Sequence, residues 1–174
     1  VGFIENGPLD KTLITPNTII AETLLLIWIF SKIENELMKT YETSLSRQKF
    51  ALPTPQSIID AIEANGIPLQ DIRLFEALRV HYWYRYWALN LDALFQFGTI
   101  ELRFANSTTN RKKIEALIDF GQKLVLAIKT KNPNLINLFS EYLSKRNIPL
   151  KELSKALDLS LIHISEPTRR TPIS

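Results

Sequence analysis

Between positions 85 and 103 the chain sets two arginines, an asparagine and a glutamate, Arg85, Asn90, Glu101 and Arg103, on two segments spaced to pair as strands. Thr99 adds a hydroxyl beside them. A carboxylate holds a metal ion or an amine, and a guanidinium grips phosphate or carboxylate in forked, charge-assisted bonds. In the second segment Ile100, Leu102 and Phe104 alternate with Thr99, Glu101 and Arg103. That is the period of two of a half-buried strand, so one face packs and the other binds or is solvated. In an arbitrary sheet an exposed glutamate–arginine pair two residues apart contributes well under about 1 kcal/mol. Charge spacing alone therefore does not define a site.

The first segment adds a constraint. Asn90 shares the alternation phase of Tyr86 and Ala88, whereas Arg85 falls in phase with Trp87 and Leu89. A regular strand cannot aim Arg85 and Asn90 into one pocket. Either a bulge intervenes, as is common beside active sites, or Arg85 acts from the end of the strand.

Several other elements are expected to position this hairpin. The run Ile19 to Phe30, IIAETLLLIWIF, carries Glu22 and is followed by Lys32. It is shorter than the roughly 20 apolar residues of a membrane-spanning helix, so it reads as a buried helix continuing to about Tyr41 and crossing the back of the sheet. Thr15 or Asn17 is placed to cap it, with Pro16 in its first turn. Ser44 to Pro55 reads as a surface loop that approaches the site. Thr54-Pro55 opens a short helix with Ile58, Ile59 and Ile62 inward and Gly66 as its stop. Gln70 to Val80 suggests a further helical turn or two, and the aromatic run from Tyr82 to Trp87 leads into the first strand. Beyond the second strand, Asn110 or Thr109 caps a helix whose Ile114, Leu117, Ile118, Leu124, Val125 and Ile128 recur at helical spacing. Its stripe is expected to cover the Ile100, Leu102 and Phe104 face. Asn132-Pro133 and Pro149 start two more helices. The fold class is α+β: an antiparallel hairpin with helices against one face.

Residues 160–174, SLIHISEPTRRTPIS, resemble a translated short-read sequencing adapter of the kind carried by a metagenomic fragment, and are expected to be disordered. Residues 1–159 then form one partial domain, because a chain of that size buries a single core. Lysine plus arginine number 21 against 18 acids. Setting aside Arg169, Arg170 and Glu166 leaves 19 and 17, a balance of +2 that gives little support to a nucleic-acid or membrane partner. There is no cysteine, which excludes disulfides, thiolate zinc sites and a cysteine nucleophile. Only His81 remains outside the tail, too few for a multi-histidine metal site. Glycines stand at 2, 7, 66, 98 and 121, so neither a P-loop nor a dinucleotide fingerprint is present. Arg111, Lys112 and Lys113 open a helix against its dipole and read as a solvated face.

The hairpin resembles the amidoligases of the glutamine-synthetase-like carboxylate-amine ligase superfamily. Their hallmark is an R-Y-x-x-L-N strand followed, after a short turn, by G-T-[IV]-E-[FL]-R. Arg85, Tyr86, Leu89 and Asn90 fill the first motif, and Gly98, Thr99, Ile100, Glu101, Leu102 and Arg103 fill the second. The likeness continues through Asn106 to Asn110, where Ser107 stands in place of the family's usual glycine, and into the following amphipathic helix.

The resemblance implies a catalytic domain that joins a carboxylate to an amine, with ATP forming an acyl phosphate and Mg2+ bridging phosphate oxygens. Under it Glu101 is the metal or amine ligand, and Arg103 and Arg85 hold phosphate or carboxylate. Asn90 orients either partner, and Thr99 contributes to nucleotide binding. The substrates would be small-molecule or peptide carboxylates and amines in the cytoplasm. Relatives place an H-x-H strand and an E-x-E strand ahead of this region. The chain begins at Val1 without methionine, so those strands are expected to be missing and the fragment to be inactive by itself. The alternative is a noncatalytic binding or scaffold module of the same fold.

Overall fold

The structure, a computed structural model, describes residues 2–3, 17–65, 85–143, 145 and 147–158. The expectations for Thr15 and Pro16, for Gly66, for Gln70 to Val80, for His81 and the aromatics up to Tyr84, and for the tail from 160 lie outside the described residues.

Helix α1, Asn17–Thr40, is the centre of the molecule. Its stretch from Leu24 to Phe30 is apolar on every side, which suits a helix surrounded by protein. Ile20, Leu24, Leu26, Ile27, Trp28, Ile29, Phe30, Ile33 and Leu37 are all buried. Trp28 meets Phe139 with ring centroids 3.9 Å apart, and Phe30 meets Phe104 at 6.1 Å. Charges buried along α1 find partners: Lys32 is 2% exposed, lies 2.5 Å from Glu63 and donates to the Lys145 carbonyl. Glu34 accepts from both the backbone N–H (2.9 Å) and the hydroxyl (3.2 Å) of Thr54. The helix closes with Glu42 in the left-handed region, where the Thr43 N–H returns to the Met38 carbonyl and the Glu42 N–H to that of Lys39. This is the closure that glycine usually provides.

A short helix α2, Leu45–Gln48, follows, capped by the Ser44 hydroxyl, so the expected surface loop is partly helical. Helix α3, Gln56–Asn65, buries Ile58, Ile59 and Ile62 as its period requires. Strand β1, Leu89–Asn90, pairs antiparallel with β2, Glu101–Leu102, in the register Leu89 to Leu102 and Asn90 to Glu101. Single bridges widen this small sheet on both sides. Gly2 pairs with Thr99, and Leu52 pairs with Trp87.

The connection between the strands corrects the short turn expected there. It is a helix, α4, Asp92–Phe97, which stops at Gly98 with φ 69. Asn90 starts it by accepting from the Asp92 N–H at 2.9 Å, the local cap by which asparagine turns a chain into a helix. Gly98 ends it in the conformation that costs glycine least.

Helix α5, Arg111–Lys129, is capped by Asn110 and packs against α1 with Phe120, Leu124, Val125 and Ile128. Helices α6, Pro133–Glu141, and α7, Leu150–Ala156, begin after Asn132 and at Pro149 as expected. The expected role of α5 needs correction. Phe104 is covered by Phe30 and by Tyr41, 5.3 Å away. Ile114 and Ile118 of α5 stay substantially exposed. The apolar face of the hairpin is thus shared between α1, which seals its inner end, and an open groove toward α5. None of the helices, searched over the described residues, is long and apolar enough to cross a membrane.

Candidate functional site

The ladder register places Asn90 directly opposite Glu101, and the strand period puts Arg103 on the same face two residues on. The Asn90 amide donates to Glu101 Oε2 at 2.6 Å while its carbonyl oxygen holds the Asp92 N–H. Both ends of that buried amide are therefore engaged within the chain, and its orientation is fixed. Arg103 Nη1 lies 3.3 Å from each Glu101 oxygen, and its Nε donates to the Phe50 carbonyl at 3.1 Å. The Arg103 side chain is 16% exposed and that of Glu101 49%. The arginine is held from behind and the carboxylate faces outward.

Arg85 reaches the same place from the turn just before β1, so the strand-end geometry resolves its opposite phase without a bulge. Tyr86 organises the two guanidinium groups. Arg85 Cζ lies 5.1 Å and Arg103 Cζ 5.8 Å from its ring centroid, both within cation–π range. The Phe50 ring supports the tyrosine edge-on at 5.5 Å.

Arg85, Asn90, Glu101 and Arg103 line one hollow of ≈ 220 Å3, together with Asp92 and Gln96 of α4. Gln96 donates to Asp92 at 2.6 Å. Thr99 is not part of this lining; it lies on a neighbouring groove of ≈ 490 Å3 with Ile100, Leu102, Leu117 and Ile118. The hollow is smaller than the ~300–1,000 Å3 of pockets that enclose a whole organic ligand. Among the described residues it admits a phosphoryl or carboxylate group rather than an entire nucleotide.

Its charges are mixed, two guanidinium groups against two carboxylates. Among the described residues no three or more His, Asp or Glu side chains converge to hold a metal ion. A magnesium ion carried mainly by substrate phosphates and water needs only one or two protein carboxylates. Glu101 and Asp92 fit that limited requirement, and do not fit a metal centre built from protein alone.

Sequence reasoning missed several contributors. Tyr86 entered as a position of the first motif, in the alternation phase of Asn90, with no role assigned to it, and proves to be a platform for two cations. Asp92 and Gln96 were hidden by the expected turn. Arg47, whose Nε donates to the Arg103 carbonyl at 3.0 Å, comes from the segment expected to approach the site, but nothing in its surroundings marks it out. Asn106, in the loop after β2, is a latch: it accepts from the Ser44 N–H at 3.1 Å and donates to the Glu42 carbonyl at 2.6 Å.

The model of the family described as "Putative amidoligase enzyme" matches residues 14–125, a span that contains every side chain of the hollow. No curated protein and no solved structure matches the chain.

Proposed function

This chain belongs to the amidoligase family, and from that premise we propose that it forms the phosphate- and carboxylate-handling part of an ATP-dependent carboxylate-amine ligase. The observation that carries the reading is the convergence of Arg85 and Arg103 on one hollow, around one tyrosine ring, beside a glutamate whose orientation Asn90 fixes.

In such a reaction a substrate carboxylate oxygen attacks the γ-phosphorus of ATP and ADP departs. The amine nitrogen then attacks the acyl carbon, inorganic phosphate leaves, and the amine gives up a proton. Oxygens that carry negative charge through both steps need fixed donors, and a guanidinium supplies them without reorganising. Arg85 and Arg103 take that part. Glu101, with Asp92 beside it, faces the cationic partner, either the amine or magnesium borne by the phosphates. Magnesium, when bound, would neutralise charge between the phosphate oxygens. Asn90 is a positioning residue, because both its amide groups are spent on Glu101 and α4. Thr99 would meet a ligand only from the neighbouring groove.

The test is ATP consumption against a panel of acids, with hydroxylamine as the amine so that an activated acyl group is trapped as hydroxamate. Hydroxamate formation that depends on ATP, and an Arg103→Ala variant that stays folded but loses at least about 100-fold in turnover, are the expected results; removal of one preorganised donor typically costs that much. Phosphate binding without any ATP consumption would instead identify a noncatalytic module, and unchanged turnover in the variant would remove Arg103 from the mechanism.

A further inference from the structure

Arg103 is gripped at both ends by one turn of the chain. Its Nε donates to the Phe50 carbonyl at 3.1 Å, and its own carbonyl accepts from Arg47 Nε at 3.0 Å. Those two partners are tied to each other, because the Phe50 N–H donates to the Arg47 carbonyl at 2.8 Å. Three hydrogen bonds thus close a ring that runs from the Arg103 main chain through α2 and back to the Arg103 side chain. The next residues bracket Tyr86: the Leu52 N–H donates to the Tyr86 carbonyl and the Ala88 N–H to the Leu52 carbonyl, each at 2.8 Å.

Polar contact rather than burial keeps this turn in place. A four-residue helix has no stability of its own, and none of the residues of α2 is buried. From Ser44 to Phe50, Arg47 is the one residue that is not exposed, and its side chain is the one that hydrogen-bonds to the segment after β2. Arg47 does not line the hollow. Its effect there is on the aim of Arg103. With Nε committed to the Phe50 carbonyl and Nη1 to Glu101, Nη2 is the nitrogen left for a ligand among the described residues. A donor fixed in advance binds an anion more tightly than one that must be ordered on its arrival. We propose that Arg47 is a positioning residue for Arg103, its N–H fixing the turn whose Phe50 carbonyl aims the guanidinium into the hollow. That the hollow takes an anion rests on the ligase reading; the hold on Arg103 does not.

Arg47→Gln and Arg47→Met isolate this N–H. Both remove the charge at similar length, but glutamine carries its amide nitrogen on Cδ where arginine has Nε, whereas methionine ends there in a methyl group with no donor. Two quantities are measured in the full chain: the affinity for pyrophosphate, and the exchange of the Arg103 Nε–H with water, followed through its 1H–15N signal. Arg47→Met should weaken pyrophosphate about three- to tenfold, the worth of one neutral hydrogen bond, and should speed the exchange by a similar factor. Arg47→Gln should stay within about twofold of the native chain in both. In an Arg103→Ala background, with Arg85 as the remaining guanidinium of the hollow, the two variants should bind pyrophosphate alike.

Equal losses in Arg47→Gln and Arg47→Met would overturn the proposal, since the charge of Arg47 and not its N–H would then matter. A difference between them that survives in Arg103→Ala would do so too, because Arg47 would be acting on something else. Faster exchange in Arg47→Met with unchanged affinity would reduce the turn to a support of the fold. If the exchange separates the two variants as expected but the native chain binds no pyrophosphate, the hold on Arg103 stands and the ligase reading loses its anion site. If pyrophosphate binds and neither quantity separates the variants, the ligase reading stands and the positioning role falls.

Discussion

Asn90 offers a way to weigh the site without knowing its substrate. Its amide makes a bond to a carboxylate at 2.6 Å and accepts a backbone N–H at 2.9 Å. A bond to a charged group contributes about 1.5–3 kcal/mol and a neutral one about 0.5–1.5 kcal/mol. Glu101 is half-exposed, so solvent screening puts the first at the low end. Asn90→Ala should therefore cost about 2 kcal/mol, a fall of roughly 1 M in the urea midpoint at a typical slope of about 2 kcal/mol/M.

Asn90→Asp is the sharper probe, because it keeps an acceptor for the Asp92 N–H but sets a second carboxylate against Glu101. Two carboxylates in hydrogen-bond contact do not both ionise readily, and one takes up a proton at a raised pKa. The sign follows from linkage. A group whose folded pKa is raised contributes stability that is present below its unfolded value, about 3.9 for aspartate, and is lost as pH rises through the folded value. The deficit of Asn90→Asp relative to the native chain should be at least that of Asn90→Ala at pH 7 and should shrink toward pH 4. The deficit of Asn90→Ala should change far less over that range. Urea unfolding at several pH values reads this out. An Asn90→Asp variant as stable as the native chain at pH 7, or a gap that widens on acidification, would refute the assigned hydrogen bonds.

Two further outcomes are expected. Tyr86→Leu removes the surface shared by Arg85 and Arg103, and at about 0.5–1 kcal/mol for each exposed cation–π contact it should weaken pyrophosphate binding roughly 5- to 30-fold, while Tyr86→Phe stays within about threefold of the native chain; equal losses in both variants would show that the hydroxyl rather than the ring matters. Lys32→Met leaves Glu63 without its buried cation and should cost about 3 kcal/mol in chemical unfolding, with most of that recovered in Lys32→Met/Glu63→Gln; no recovery would mean that Lys32 acts mainly through the Lys145 carbonyl.

What could be read from the residues alone follows a physical pattern. Local signals were sufficient where one residue type decides the backbone: Asn132-Pro133 and Pro149 start helices, Asn110 caps α5, and the largely apolar run from Ile19 to Phe30 needs protein around it. The alternation around Glu101 gave the correct faces because it records burial. It did not give the strand lengths, since a side chain can point inward without its backbone being paired. Helix α4 was masked for a related reason. Its signals, Asn90 ahead and Gly98 behind, were in plain view, but the same residues also suit a hairpin turn. The exposure of Ile114 and Ile118 had no local signature at all, because helical spacing gives a phase and does not say what covers it. The hollow itself combined both cases: Asn90, Glu101 and Arg103 follow from register, whereas Tyr86 and the Phe50 carbonyl are brought in by tertiary folding.

Helix α1 ties distant parts of the molecule to a single rod. Through Phe30 it backs the hairpin, through Glu34 and Trp28 it fixes Thr54 and α3, and through Lys32 it holds the segment at Lys145. Each successive helical residue turns by about 100°, so inserting or deleting one in its middle would swing every attachment beyond that point to the wrong side. Homologous sequences should accordingly vary this helix by exchange of side chains at constant length. Gains and losses of residues should gather instead in the connections, where the spacing between Arg85 and Arg103 is left intact.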